Sequence, residues 1–367
     1  MSIRHPRAVV VTDDELMVLS EAPLVRPLVL LLPLLILGCS GITDPPVVGG
    51  PSGVTPLMDM VPGDTYLGFA GGLYPDGTAR MPASHDSAGR QAARLIRPLD
   101  ANGNPAGAGK IVLMSVGMSI PTMEWCQGAD VTSCQLPESF MVRAWNDPTI
   151  RNGAPELVDG ANGKQTIPFW DQASDVQYGW VTSQRLTPRG LTEKQVQAIW
   201  MKVVNSDPTV SLPAANADAY SIVTGYGNIL RALRVHYPNL RVVFLSSRSY
   251  AGYATGTTDP EPYAYEHGFA VKWVVEAQIR QRDAGVIDLR AGDLGPAVTP
   301  WIGWGPDLWA NGATPRRDGL SWVPADFLRD GLHPAAPGVV KVVSRLLPFF
   351  KTSPQSRCWF LAAQPPC

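Results

Sequence analysis

The feature that most constrains this chain is an alternation of short apolar runs with amphipathic stretches, sustained from Lys110 to Phe350. Lys110 to Val116 (KIVLMSV) is almost unbroken in its apolar character, as a strand covered on both faces requires. Glu156 to Asp159 supplies a second, short strand, Ala198 to Val204 (AIWMKVV) a third, and Leu240 to Leu245 a fourth. Helical patterns separate and follow them. With Asp218 as N-cap, Ile222, Tyr226, Ile229, Leu230 and Leu233 share one face. Phe269, Trp273 and Ala277 mark another helix that ends before Gly285, and Val339, Val343, Leu346, Leu347 and Phe350 a last one after Pro334. Thr192-Glu193-Lys194-Gln195 offers a capping box ahead of the third strand. Strands alternating with helices predict an α/β layer fold on a mostly parallel sheet. No internal repeat of fixed period is evident.

The flanks have a different character. Pro27 to Leu37 (PLVLLLPLLIL) is apolar over eleven residues, short of the roughly 20 needed to span a bilayer as a helix. It follows Arg26 and ends in Ile36-Leu37-Gly38-Cys39, which looks like a bacterial lipobox. Residues 1–38 therefore read as a lipoprotein signal peptide and Cys39 as the lipidated residue. The expected location is extracytoplasmic, anchored through that lipid to a bacterial membrane, in the periplasm or at the cell surface. Asp13, Asp14 and Glu15 are unlike a basic signal n-region, which makes Met17 a candidate start. Residues 39–56 read as a flexible tether, rich in proline and glycine. Residues 57–109, irregular and punctuated by turns such as Pro75-Asp76-Gly77, read as a loop- and β-rich lead-in, and 351–367 as a C-terminal tail.

Five cysteines are an odd count for an exported chain. Assigning Cys39 to lipid leaves Cys126 with Cys134 and Cys358 with Cys367, two close pairs that an oxidising compartment can join. Their spacings do not match zinc sites, and there is no HExxH or clustered ligand set, so no metal or cofactor is implied. The balance of 30 basic against 32 acidic residues lacks the polybasic footprint of a nucleic-acid binder.

In an open parallel sheet, ligands bind beyond the carboxyl ends of the strands. The first strand is followed by Gly117-Met118-Ser119-Ile120, the second by Gly160-Ala161-Asn162-Gly163 and the third by Asn205-Ser206-Asp207, while Asp330-Gly331-Leu332-His333-Pro334 precedes the last helix. These four loops can meet at one rim. In order and placement they resemble the SGNH hydrolases, the GDSL-type esterase and lipase superfamily, over Lys110 to Phe350. Two blocks depart from the family pattern: Met118 stands where the serine motif has Asp, and the Gly-x-Asn-Asp block is reduced to Val203-Val204-Asn205-Ser206.

The resemblance implies a three-layer α/β/α, flavodoxin-like sandwich over 110–350. It implies Ser119 as nucleophile, His333 as base and Asp330 as the residue that orients it. The oxyanion hole would comprise the backbone amides of Ser119 and Gly163 and the side-chain amide of Asn205. The implied reaction is hydrolysis of carboxylic (O-acyl) esters, on small molecules or carbohydrate, through an acyl-enzyme. The residue types suit it: a serine hydroxyl needs a base to take its proton, and an Asp three residues before the imidazole can bind its other N–H. A classical α/β-hydrolase needs Gly-x-Ser-x-Gly, whereas here the fifth position is Pro121.

Other candidates have plainer readings. His236 ends a helix, where a cation suits the macrodipole; His267 lies in a helical pattern as a surface or packing residue; His85 sits in a loop as a hydrogen-bonding group. Arg316 and Arg317 read as a solvated turn. Trp301, Trp304 and Trp309, with Trp322 further on, lie just upstream of the Asp-His loop and are expected either to wall a substrate pocket or to pack a long loop. Arg248 and Tyr250, after the fourth strand, are further pocket candidates. A non-catalytic glycan-binding surface lipoprotein on the same fold, using those tryptophans, is the alternative function.

Overall fold

A computed structural model of the protein describes residues 54–151 and 155–367; the expected signal peptide, Cys39 and nearly all of the tether lie outside them. In chain order the elements are β1 (Thr65–Tyr66), β2 (Phe69–Ala70), α1 (Ala83–Ala93), β3 (Val112–Gly117), α2 (Ser119–Trp125), α3 (Phe140–Trp145), β4 (Glu156–Asp159) and α4 (Val176–Val181). There follow β5 (Val196–Lys202), α5 (Asp218–His236), β6 (Val242–Leu245), α6 (Tyr263–Ala284), β7 (Trp301–Trp304), α7 (Ala336–Thr352) and α8 (Arg357–Phe360). β3 to β7 form one parallel sheet in the order β4-β3-β5-β6-β7. α5 and α6 pack together as one outer layer and α2, α3 and α7 as the other, giving the three-layer α/β/α sandwich. Every residue of β3, β5, β6 and β7 is buried, which is why their sequences are mostly apolar, with Ser115, Gln197 and Lys202 as buried polar exceptions.

The chain leaves β3 towards β4 on one side and returns to place β5 on the other. The order reverses between β3 and β5, so a crevice opens beyond their carboxyl ends. There β3 closes tightly on β5. Gly117 has φ 149°, and a Cβ on it would collide with the Lys202 carbonyl, so only glycine can end β3 in this way.

The four expected strands are present, shifted by at most two residues. A fifth, β7, falls within the tryptophan-rich stretch read as loop, because a four-residue strand with Gly303 inside it lacks the usual run of branched residues. The lead-in is also corrected: its strands are two residues each, and its main element is the helix α1. That helix buries His85, Gly89 and Ala93, a face with no large apolar side chain, so it carries little hydrophobic periodicity. Leu57, Met60, Leu73, Tyr74, Ala93 and Ile96 join the same core as the sheet.

Several outward-facing backbone groups at the two edges of the sheet are bonded by side chains. On β4, Arg189 donates to the Leu157 carbonyl at 2.6 Å and Arg185 to that of Asp159 at 2.9 Å. On β7, the Ile302 N–H donates to Gln278 at 2.9 Å, and its carbonyl accepts from His85 Nε2 at 2.7 Å. Arg282 donates to the other ring nitrogen of His85 at 2.9 Å, so the imidazole is neutral, and burial together with Arg282 holds its pKa down at about 4.

Disulfides join Cys126 to Cys134 and Cys358 to Cys367. Among the described residues no helix is long and apolar enough to cross a membrane.

Two features yield measurable expectations. Lys202, at the end of β5, pairs with Glu124 of α2 at 2.5 Å, and both are almost completely buried. Lys202→Met leaves a buried carboxylate unpaired and is expected to cost about 3–5 kcal/mol of unfolding free energy in urea, whereas adding Glu124→Met should recover most of it. His236 places one ring nitrogen 3.2 Å from Glu193 and the other 2.8 Å from the Ala173 carbonyl, stacked on Tyr178. The Glu193 hydrogen bond raises its pKa. Its stabilising contribution is therefore complete below the unfolded histidine pKa of about 6.5 and is lost as pH rises through the higher folded value. His236→Gln should thus lower Tm more at pH 5.5 than at pH 8.5.

Candidate active site

Ser119 is the first residue of α2, immediately past the β3 terminus, so its amide has no acceptor within the helix. Its Oγ lies 2.8 Å from His333 Nε2, and His333 Nδ1 lies 2.5 Å from Asp330 Oδ2. The three residues singled out in the sequence are in one hydrogen-bonded line. With Nδ1–H directed at the carboxylate, Nε2 presents its lone pair to the serine hydroxyl.

Asp330 does more than face the imidazole. Its Oδ1 accepts from the backbone amides of Leu332 and His333, both at 3.0 Å, which shapes the turn and leaves Oδ2 for the ring. Burial opposes ionisation of this carboxyl, but the Leu332 amide and the His333 side chain and amide outweigh it and lower its pKa. Between Asp330 and His333, Gly331 has φ 66°, and a Cβ there would collide with the Tyr253 carbonyl. The turn is thus pressed against the connection that follows β6, where Thr255 N–H also donates to the Asp330 carbonyl at 3.0 Å.

A small apolar cluster ties the Ser119 and His333 segments together. Ile120, next to Ser119, and Leu332, next to His333, pack with Ala251 and Ala264 apart from the main core. The segment that carries Asp330 and His333 is long, and Arg316 organises it. Its guanidinium donates to the carbonyls of Asp307 and Trp309, each at 2.9 Å, and pairs with Asp307 at 3.2 Å and Asp318 at 2.8 Å. The solvated turn expected for Arg316 is therefore corrected: the side chain is 1% exposed.

The expected pocket walls are corrected as well. Trp301, Trp304 and Trp309 are only 6%, 4% and 2% exposed, and their indole N–H groups donate to His85 O, Leu73 O and Glu261 Oε1. Trp322 is fully buried and donates to Leu308 O. They pack β7 and the long loop. Arg248 is likewise internal, 2.9 Å from the buried Asp259, and Tyr250 packs edge-on against Tyr253 and tilted against Trp309. His267 is a buried neutral ring: it accepts from the Arg248 amide at 3.1 Å and bonds the Tyr226 hydroxyl at 2.7 Å, which donates to Val203 O at 2.8 Å. This relay anchors the chain just before Asn205.

The two remaining residues, Gly163 and Asn205, make no hydrogen bond to Ser119, His333 or Asp330. Asn205 Nδ2 donates to Asp218 Oδ1 at 2.8 Å and to Ser221 Oγ at 2.7 Å, which occupies both amide hydrogens. Gly163 is exposed, with open space where a Cβ would stand. Ala161 and Asn162 donate to Ser115 Oγ and Gly117 O, whereas among the described residues nothing accepts from the Gly163 amide. Beyond β5 a polar trough of about 320 Å³ is lined by Asn205, Asp207, Thr209, Asn216, Asp218 and Ser221. A more apolar hollow of about 450 Å³ lies at the amino end of β4, around Met141, Trp145 and Glu156, at the opposite end of that strand from the serine rim. Ser119, His333 and Asp330 are not among the residues that line it.

No family model matches the chain, and no curated protein does. Among solved structures it is similar to a chain from Parabacteroides merdae described as a GDSL-like lipase, at 13% identity and a TM-score of 0.33, over 65% of this chain and 94% of that one. It is also similar to a carbohydrate esterase family 2 enzyme with a carbohydrate-binding domain from Corynascus thermopiles (Myceliophthora fergusii), at 16% identity and a TM-score of 0.33, over 66% and 68% of the two chains. The third is an extracellular lipase from Streptomyces rimosus, at 14% identity and a TM-score of 0.32, over 66% and 99%.

Proposed function

We propose that this protein is a serine esterase of the SGNH type that hydrolyses carboxylic esters through an acyl-enzyme, and that lipid on Cys39 anchors it outside the cytoplasm. The observation that carries the catalytic part is the continuous Ser119–His333–Asp330 hydrogen-bonded line at the carboxyl rim of the sheet. His333 Nε2 takes the Ser119 proton as Oγ attacks the ester carbonyl, and Asp330 holds the ring in the required tautomer and stabilises the imidazolium. The oxyanion forms beside the Ser119 and Gly163 amides. The imidazolium then protonates the leaving alcohol, and a water activated by the same base releases the acid. The alcohol portion occupies the polar trough beyond β5, whose hydroxyl, amide and carboxylate lining suits a carbohydrate better than an acyl chain. Burial of all four tryptophans withdraws the aromatic platform on which a purely glycan-binding function rested.

The test is turnover of short-chain p-nitrophenyl esters and acetylated glycans by the chain lacking residues 1–39, with covalent labelling by an organophosphonate. Labelling at Ser119 and turnover should both fall by about 10⁴-fold or more in Ser119→Ala and His333→Ala. Absence of turnover and of labelling in the unmodified protein would sink the proposal. Because both hydrogens of the Asn205 amide are engaged with Asp218 and Ser221, Asn205→Ala should lower kcat by less than the roughly 100-fold typical of a dedicated oxyanion donor.

A further inference from the structure

The helix that presents Ser119 does little to hold itself in place. It has seven residues, Met118 provides no side-chain cap, and Pro121 has no amide to donate. Helices this short are marginal without outside support. Glu124, near its carboxyl end, is fixed by Lys202. Its first turn is fixed by another buried carboxylate, the last residue of β4. Asp159 is fully buried, and its Oδ1 accepts from Ser115 Oγ on β3 at 2.7 Å. Its Oδ2 accepts from Thr122 Oγ1 on α2 at 2.6 Å and from the Gln127 amide, just past the helix, at 2.9 Å. Thr122 stands three residues after Ser119, on the same side of the helix. A single carboxylate thus binds a neighbouring strand, the nucleophile's own helical turn and the start of the disulfide loop. The nearest cation, Arg185, bonds the Asp159 carbonyl oxygen and leaves the carboxylate to these three donors.

Resting on the reading of Ser119 as nucleophile, we propose that Asp159 is its positioning residue: through Thr122 it sets where Ser119 Oγ stands relative to His333. Asp159 touches no reacting atom. It acts by fixing the helix, and small misplacement of a nucleophile is costly, about 100-fold for a shift near 1 Å.

The experiment compares Thr122→Val, which keeps the shape and removes the donor, with Thr122→Ser, which restores it, alongside Asp159→Asn. Thr122→Val and Asp159→Asn should lower kcat and the rate of organophosphonate labelling at Ser119 in parallel, by about 10- to 100-fold, with KM within about twofold. Thr122→Ser should return both rates to within about threefold of the unmodified protein. Independently of activity, exchange of the Cys126 amide, which donates to the Thr122 carbonyl at 2.9 Å, should accelerate about tenfold in Thr122→Val and not in Thr122→Ser. Unchanged labelling and exchange in Thr122→Val would overturn the assignment, as would losses that merely follow a lowered Tm in all three variants. Should the unmodified protein neither turn over esters nor label, the esterase reading fails, and the exchange comparison still decides whether Asp159 holds the helix.

Discussion

The structure turns on the seating of one short helix at the point where the sheet reverses its strand order. Gly117 lets β3 end in contact with the Lys202 carbonyl, and the chain then turns at once into α2. From that position Ser119 lies in the crevice by topology alone. Two buried carboxylates then fix the orientation, Glu124 towards β5 and Asp159 from β4. Placing charge in a fully buried setting is expensive unless each oxygen is matched. Asp159 meets that demand with three donors, yet burial still lifts its pKa to about 7. The same set of bonds that satisfies the carboxylate ties down the helix that begins at Ser119.

His333 arrives by a much longer route. His333 belongs to a segment that begins after β7 and has no regular strand or α-helix before α7. Its order comes from buried side-chain donors, namely Arg316 and the indoles of Trp309 and Trp322. The last step is local: Asp330 folds its own turn through Oδ1 and orients the imidazole through Oδ2. The Ile120–Leu332 cluster then joins the residue beside Ser119 to the residue beside His333, so the two segments share one apolar seam.

What could be read from the sequence follows from how local each cause is. Strands buried on both faces must be apolar, so β3, β5 and β6 are visible as runs, whereas β7 is hidden by Gly303 and its terminal tryptophans. The helix α1 is hidden because it buries a histidine, a glycine and an alanine. Ser119, Asp330 and His333 are legible because each lies at an element end and the Asp-His pair is only three residues apart. The role of Asp159 is not, since its partners Ser115 and Thr122 lie 44 and 37 residues away. Tryptophans beside a site look alike in sequence whether they line a cleft or fill a core; only the carbonyls and carboxylate that accept from their N–H groups separate the two cases.

The side chains that border the sheet have a consequence for association. In a parallel strand the N–H and C=O of one residue point to the same side, so an uncovered edge offers a ready template for another chain. Here Arg185 and Arg189 occupy the outer carbonyls of β4, while Gln278 and His85 occupy both outward groups of Ile302 on β7. Polar side chains thus guard part of each border of the five-strand sheet. A strand added at either border would first have to displace these side-chain bonds.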